Sequence, residues 1–227
     1  SVFCGEPFYV KQFKFWKKIC KNSIIFNTYG PTEATCFCSY YQCEDRYLTQ
    51  VSNDDSIPIG KFFKSIKYKF LNKNAVLKTS GHLLLGGNQV FSGYLNKKKF
   101  STKNFKKIKD IFYYKTGDYI KKQKKDYFFS KRIDRQIKID GFRVELKEVE
   151  NLLGRYTQKY NFLFYSKKTR EIVAVLQKSN KSLGNIKKYL EENLPQYMIP
   201  KKIILINNFP LTPNEKIDYK KIIHKYE

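Results

Sequence analysis

The 227-residue sequence is short of acid, of arginine and of histidine: 45 lysines and arginines face 20 aspartates and glutamates, for a formal charge of +25, with two histidines. Only six of the basic residues are arginines, at positions 46, 132, 135, 143, 155 and 170. Nucleic-acid readers lean on arginine's planar fork for bidentate contacts, so the excess is read first as a solvated lysine surface of the kind an AT-rich coding bias produces. Its second reading is an anion-attracting field that suits ATP, an acidic protein or nucleic acid alike. No apolar run nears the roughly 18 residues of a membrane helix. Glycine (11) and proline (7) are too few for collagen, and no heptad persists. Five cysteines, Cys4, Cys20, Cys36, Cys38 and Cys43, are odd in number and lack C-x-x-C spacing, which argues against a disulfide scaffold and fits a reducing cytosol. A zinc cluster of Cys36, Cys38 and Cys43 has neither His82 nor His224 near it in sequence, so these thiols read as small buried side chains. The chain opens on Ser1-Val2-Phe3-Cys4-Gly5 with no charged leader, from which a cytoplasmic segment of something longer is expected. What it does have is core material: 41% hydrophobic and 17% aromatic residues, too much for a disordered polyelectrolyte.

Three patterns follow one another. In the first, Val2 to Cys4 is a short apolar strand, and Val10, Phe13, Trp16 and Ile19 recur as a helical stripe. A buried strand, Ile24-Ile25-Phe26, then runs into the polar loop Asn27 to Glu33. Strand, helix, strand and loop is the α/β arrangement that binds ligands beyond a strand's carboxyl end. The run from Cys36 to Tyr41 alternates like a strand. From about Ser39 to Ser130 come short β runs, Ile66 to Leu71, His82 to Leu85 and Tyr127 to Phe129, punctuated by Gly81, Gly86, Gly87 and Gly93, as in a small barrel or bent sheet. The lysine-rich 96–109 segment is expected to hold a surface helix and loop. After Asp134 the third pattern begins: strand 136–139, a helix over 145–153, strands 162–166 and 172–177, a helix capped by Ser182 and ended by Pro195, strand 203–206 and a last short helix. That is a compact α+β unit.

Four stretches carry chemistry. Tyr29-Gly30-Pro31-Thr32-Glu33 follows a buried strand, so its N–H groups can face an anion. Thr32 offers a hydroxyl to a phosphate oxygen, Glu33 a carboxylate to Mg²⁺, and Tyr29 a ring face to a base. Taken alone it is a turn. Tyr114-Lys115-Thr116-Gly117-Asp118 sets one acid after a tight glycine turn, suited to two hydrogen bonds from a ribose diol. Arg132 to Glu145 alternates charge with apolar residues, and Thr212-Pro213-Asn214-Glu215-Lys216-Ile217-Asp218 sets a lysine on a turn.

With these blocks in hand, the chain resembles the adenylate-forming enzymes: acyl-CoA synthetases, peptide-synthetase adenylation domains and luciferases. Asn27 to Glu33 is similar to the NxYGPTE block, Gly81 to Tyr94 to GELxIxGxxVxxGYL, and Tyr114 to Asp118 to YxTGD. Arg132 to Glu145 is similar to GRxDxQVKIxGxRxE and Pro210 to Asp218 to PxTxNGKxD, five blocks in the family's order. Within the family, Phe3-Cys4-Gly5-Glu6 with Asn27 to Thr35 looks closest to D-alanine–carrier protein ligases. The resemblance implies the C-terminal part of the large α/β adenylation lobe over 1–133, with a small β-barrel-like region, and then a separate α+β lobe over 134–227. It also implies a two-step ligase. ATP, with Mg²⁺, and an amino acid such as D-alanine give an acyl-adenylate and pyrophosphate. A phosphopantetheine thiol on a carrier protein then takes the acyl group.

By that resemblance Tyr29 stacks on adenine within the Gly30 loop, Thr32 holds the α-phosphate and Glu33 the Mg²⁺. Asp118 grips the ribose with Arg132 nearby, and Cys4 borders the amino-acid pocket. Asp134 is the hinge of the C-terminal lobe, and Gly141 and Arg143 line the face that receives the carrier arm. Those last two also read as a hairpin glycine and a surface arginine. Lys216 bridges the carboxylate and α-phosphate oxygens, since attack of one anion on another needs a cation fixed between them.

The sequence departs from the family at three places: Glu215 stands for a glycine before Lys216, Lys131 for the glycine before Arg132, and His82 for a glutamate after Gly81. Where a backbone needs positive φ, a residue other than glycine is strained. The family's Ser/Thr/Gly-rich phosphate loop does not occur in these residues, so the chain alone is expected not to catalyse adenylation. A non-catalytic remnant and a basic nucleic-acid-binding module stand as alternatives. The second predicts salt-steep affinity for DNA or RNA and gives no reason for Thr116-Gly117-Asp118 or Lys216.

Overall fold

The structure, a computed structural model, describes residues 1–227 except 50, 53–54, 73–74, 78 and 96–103. It divides into two compact units, Ser1–Asp134 and Arg135–Glu227.

The first unit begins with β1 (Val2–Phe3), α1 (Val10–Ile19), β2 (Phe26–Tyr29), β3 (Ser39–Gln42) and β4 (Lys61–Phe62). The sheet order is β1-β2-β3-β4, with β1 parallel to β2 and the other pairs antiparallel. Val10 and Phe13 of α1 pack with Phe8, Ile25, Tyr41, Tyr47 and Ile57, while Ile19 at the end of the expected stripe is 60% exposed. The expected strand at Ile24 starts two residues later, and Ile24 is exposed. The strand takes in buried Asn27, whose amide donates to the Pro58 carbonyl at 2.8 Å. A hydrophobicity pattern passes over such a satisfied polar residue. The alternating Cys36 to Tyr41 run is strand only from Ser39. Thr35 and Cys36 both sit at φ 55°, so the chain turns there and Cys36 is exposed rather than buried, whereas Cys38 is buried.

The second sheet of this unit comprises β5 (Lys67–Asn72), β6 (Ala75–Leu77), β7 (Ser80–Gly86), β8 (Phe105–Ile108), β9 (Ile111–Gln123) and β10 (Asp126–Arg132). It is antiparallel and open, in the order β10-β9-β7-β5-β6, with β8 also on β9. Residues 96–103 of the expected surface helix lie outside the described residues. The remainder of that helix is instead β8, paired with the start of β9, where Phe105 is buried. Alternating inward side chains Phe70, Leu83, Leu85, Ile120 and Tyr127 bury against Ala34, Cys38 and Ile59, which joins the two sheets of the unit. The expected tight turn at Gly117 is absent: it lies inside the 13-residue β9, where the register with β7 shifts between His82 and Leu84. Gly117 has φ 78°, and such a bulge redirects the side chain that follows it.

The second unit opens with the hairpin β11 (Gln136–Ile139) and β12 (Phe142–Glu145), joined by Asp140 and Gly141, both at positive φ (50° and 82°) as a two-residue turn requires. Then come α2 (Leu146–Thr157), β13 (Asn161–Ser166), β14 (Glu171–Gln177), α3 (Leu183–Asn193), β15 (Lys202–Ile206) and α4 (Tyr219–Tyr226). The sheet order is β13-β14-β15. As its hydroxyl pattern suggests, Ser182 caps α3, accepting from the Asn185 N–H at 3.2 Å. β14 is buried on both faces: Ile172, Ala174 and Leu176 meet the residues of α2 and α3, and Val173 and Val175 meet Phe162, Phe164, Phe209 and Ile222.

Candidate functional site

Within the first unit, the end of β2 and the bulge of β9 meet through their side chains. Tyr29 donates its hydroxyl to Asp118 Oδ2 at 2.5 Å. Asp118, 4% exposed, accepts on Oδ1 from Arg132 Nη1 at 2.8 Å, because β9 and β10 pair Asp118 with Arg132. Arg132 also forks onto Asp134, Nε to Oδ1 at 2.7 Å and Nη2 to Oδ2 at 2.6 Å, and reaches the Thr116 carbonyl. Fork-on-carboxylate pairing of this kind fixes orientation as well as adding strength. Thr116 holds the bulge from below: its hydroxyl donates to the Leu83 carbonyl at 3.0 Å and accepts the Asp118 N–H at 3.0 Å.

The charges tune one another. Burial raises the Tyr29 phenol well above its ordinary value, and the Asp118 carboxylate adds to the rise, so Tyr29 stays a neutral donor. Burial works against the Arg132 charge, but the hydrogen bond to Asp134 and the Asp118 and Asp134 carboxylates outweigh it and hold the guanidinium above its usual value.

The loop after Tyr29 folds back sharply, with Cys38 N–H donating to the Tyr29 carbonyl at 2.7 Å. A side chain on Gly30 would run into the Cys36 carbonyl and the Cys38 nitrogen. Thr32–Ala34 form a 3-10 turn in which Thr32 is exposed and Glu33 is 3% exposed. Glu33 Oε1 accepts the Tyr94 hydroxyl at 2.6 Å, and its carbonyl accepts the Phe91 N–H. Mg²⁺ takes oxygen donors and is commonly held by one or two carboxylates together with substrate phosphates and waters. Among the described residues there is no group of three or more His, Cys, Asp or Glu able to hold a metal. Glu33 contributes a single carboxylate, which would suit a metal that brings its own phosphate and water ligands.

Cys4 lies exposed just past β1, whose Phe3 carbonyl accepts from Thr28 at 3.0 Å. Burial pushes the Cys38 thiol up to about 12, with Cys36 and Cys4 adding to it.

The remaining expected residues belong to the second unit. Gly141 forms the β11–β12 turn, and Arg143 lies 3.8 Å from Glu145 on that hairpin. Lys216 lies on another hairpin, bridged between Leu211 and Ile217. Its N–H donates to Thr212 Oγ1, and the Thr212 N–H donates to its carbonyl at 2.7 Å. Glu215, where the related block has glycine, sits at φ 56°. Among the described residues neither Glu215 nor Lys216 has an ion-pair partner.

Sequence reasoning gave no role to Tyr94 or Thr116. Each lay inside a quoted block, but nothing in the spacing says that Tyr94 would cover Glu33 or that Thr116 would brace a bulge.

Residues 1–95 match the sequence profile described as AMP-binding enzyme. The D-alanine–D-alanyl carrier protein ligase of Bacillus licheniformis is 32% identical over 97% of this chain and 46% of its own length. The chain is related to the AMP-binding, adenylate-forming enzymes. It spans about half the length of the curated relatives it matches. Its fold is that of adenylation domains, a mixed α/β architecture. The crystal structure of the Vibrio cholerae adenylation domain AlmE, in complex with glycyl-adenosine-5'-phosphate, superposes with a TM-score of 0.84 at 24% identity, over 99% of this chain and 44% of that one. A protein containing adenylation and PCP domains superposes with a TM-score of 0.79 at 21% identity, over 100% of this chain and 40% of that one. Among the described residues no helix is long and apolar enough to cross a membrane.

Proposed function

We propose that the chain is the C-terminal part of an ATP-dependent ligase that joins an amino acid, D-alanine or one like it, to AMP and passes it to the phosphopantetheine thiol of a carrier protein in the cytoplasm. The observation that carries this reading is the Tyr29–Asp118–Arg132 cluster: a buried carboxylate, held by an arginine and a neutral phenol, at the edge of a glycine-tightened loop. Such a carboxylate accepts a ribose diol, and the half-buried Tyr29 ring supplies a face for adenine. Thr32, exposed on the 3-10 turn, would donate to an α-phosphate oxygen, and Glu33, whose Oε1 accepts the Tyr94 hydroxyl, would supply a carboxylate to Mg²⁺. The metal supplies charge neutralisation for the phosphates. Cys4 borders the amino-acid side. Lys216 places its ammonium between the attacking carboxylate and the phosphate, and Asp134 is the hinge between half-reactions. Gly141 and Arg143 line the path of the carrier arm.

Binding of AMP to the 227-residue chain, compared with 2′,3′-dideoxy-AMP by calorimetry, tests the reading. Hydrogen bonds to a charged acceptor contribute about 1.5–3 kcal/mol each, so the dideoxy compound should bind about tenfold weaker or worse. Asp118→Asn should erase most of that difference. Equal binding of the two nucleotides, or no binding of AMP, would refute the reading.

A further inference from the structure

Two consecutive residues other than glycine, Thr35 and Cys36, both sit at φ 55°. They follow Thr32 and Glu33 in the loop that leaves β2, and the chain returns to the core just beyond them at Cys38. Such a backbone persists only where its surroundings over-determine it, and conformations of this kind gather at ligand-binding loops. Restraint on both flanks comes from Gln89. Its carbonyl accepts the Thr35 hydroxyl at 2.8 Å, and its side-chain amide donates from Nε2 to the Phe37 carbonyl at 3.1 Å. The two left-handed residues are thus bracketed by hydrogen bonds to one residue more than fifty positions away.

Gln89 is itself held. Ser65 donates its hydroxyl to Gln89 Oε1 at 3.2 Å, which leaves Nε2 facing Phe37. The Val90 N–H closes a turn onto the Gly87 carbonyl at 3.1 Å, and Val90 packs against the cluster that contains Ala34 and Cys38. Phe91 meets the Tyr114 ring edge-on, centroids 5.9 Å apart, and donates its N–H to the Glu33 carbonyl at 2.9 Å. Residues 89 and 91 therefore meet residues 35 and 33 in antiparallel order, and this turn is a template for the 33–37 backbone. The family block over this stretch, GELxIxGxxVxxGYL, leaves position 89 open, so the bracket belongs to this chain's own sequence rather than to the shared pattern.

We infer that Gln89 is a positioning residue for the phosphate end of the nucleotide site: it sets the path of the loop that presents the Thr32 hydroxyl, and acts only through that loop. The Thr35 N–H donates to the Thr32 carbonyl at 3.1 Å, so a shift at residue 35 passes directly to residue 32. Tyr29 and Asp118, on the base and ribose side, are fixed by each other and by Arg132, and do not depend on Gln89. This role rests on the proposed nucleotide site, but the hold of Gln89 on the loop is measurable without any ligand.

The test uses the full chain. Gln89→Glu keeps the size of the side chain and removes the donor to the Phe37 carbonyl. Labelling by a thiol reagent is followed at each cysteine by mass spectrometry. Cys38 should label about five- to tenfold faster in Gln89→Glu, the effect of one lost hydrogen bond on a local opening. Cys43, packed in the separate cluster around Phe13, should keep its wild-type rate. AMP affinity should fall by about the same five- to tenfold factor while adenosine affinity is unchanged, because only the phosphate meets the displaced loop. Ser65→Ala removes an exposed hydroxyl that orients the amide. It should shift Cys38 and AMP in the same direction by less, and it reads the same bracket should Gln89→Glu fail to fold. An unchanged Cys38 rate in Gln89→Glu, equal acceleration of Cys38 and Cys43, or equal loss of AMP and adenosine would overturn the inference. No AMP binding by the wild type, with Cys38 still released in Gln89→Glu, refutes the nucleotide reading and leaves the hold on the loop standing.

Discussion

The Asp134 carboxylate occupies the place a side chain on Gly117 would need. A Cβ built there meets Asp134 Oδ2 and Arg132 Nη2, and the backbone sits at φ 78°. Gly117 thus serves a conformation and a close approach together, and the bulge, the arginine fork and the residue at the unit boundary depend on one missing methyl group.

Gly117→Ala should therefore cost more than the about 1–2 kcal/mol of a left-handed backbone alone, since the fork must also open. Urea unfolding should show a loss of about 2–3 kcal/mol together with weaker AMP binding. A midpoint unchanged from the wild type would contradict this account of the bulge.

Tyr29→Phe removes the hydroxyl that meets Asp118. The expected loss is about 1.5–3 kcal/mol, the range for a hydrogen bond to a charged group. Because the folded phenol titrates above its unfolded value of 10.0, its contribution is full below pH 10 and fades as pH rises beyond it. Alkaline melts of the wild type should steepen above that point, and those of Tyr29→Phe should steepen less.

Thiol reactivity sorts by burial. Cys38 and Cys43 are both pushed up to about 12, burial being the main cause in each, whereas Cys4 and Cys36 are exposed. A thiol reagent at pH 8 should label Cys4 and Cys36 first and leave Cys38 unlabelled until the chain unfolds. The raised thiol values stabilise the fold fully below pH 9, and that stability is lost as pH climbs toward 12. Cys38→Ala should flatten this part of the pH profile. Early labelling of Cys38 would show that the loop opens.

Glu215→Gly should relieve the left-handed backbone before Lys216. The gain of about 1–2 kcal/mol is offset by the about 0.5–1 kcal/mol entropy of a glycine, for a net stabilisation of about 0.5–1 kcal/mol in thermal unfolding. Glu215→Val should destabilise instead, because a β-branched residue tolerates positive φ poorly. If the valine variant melts with the wild type, the turn does not need that conformation.

Much of this architecture was legible because periodicity and punctuation agreed. The strands at 136–139, 161–166 and 171–177 and the Ser182 cap follow from alternation and a capping hydroxyl. The misplaced elements have a shared cause: polar groups satisfied across the sheet. Asn27 sits buried in β2, and Thr116 and Asp118 sit buried in the middle of β9, so a hydrophobic pattern ends these strands too early and turns a bulge into a loop. The candidate site was legible as separate blocks, since Tyr29, Asp118, Arg132 and Asp134 each stood in one. That a single guanidinium joins Asp118 to Asp134 was not, because it depends on a register two residues could shift. Tyr94 and Gln89 were silent for the same reason: their partners are 61 and 54 or 52 residues away.

The central strand of the second unit, walled by side chains on both surfaces, sets how that unit can fail. Ile222 of α4 is wedged among Phe162, Phe164, Val173 and Val175. Trimming the chain before residue 219 would not shed a harmless tail: it would strip one wall from the sheet and wet a row of phenylalanines. Loss of the lysine turn's tether and loss of solubility should therefore arrive together.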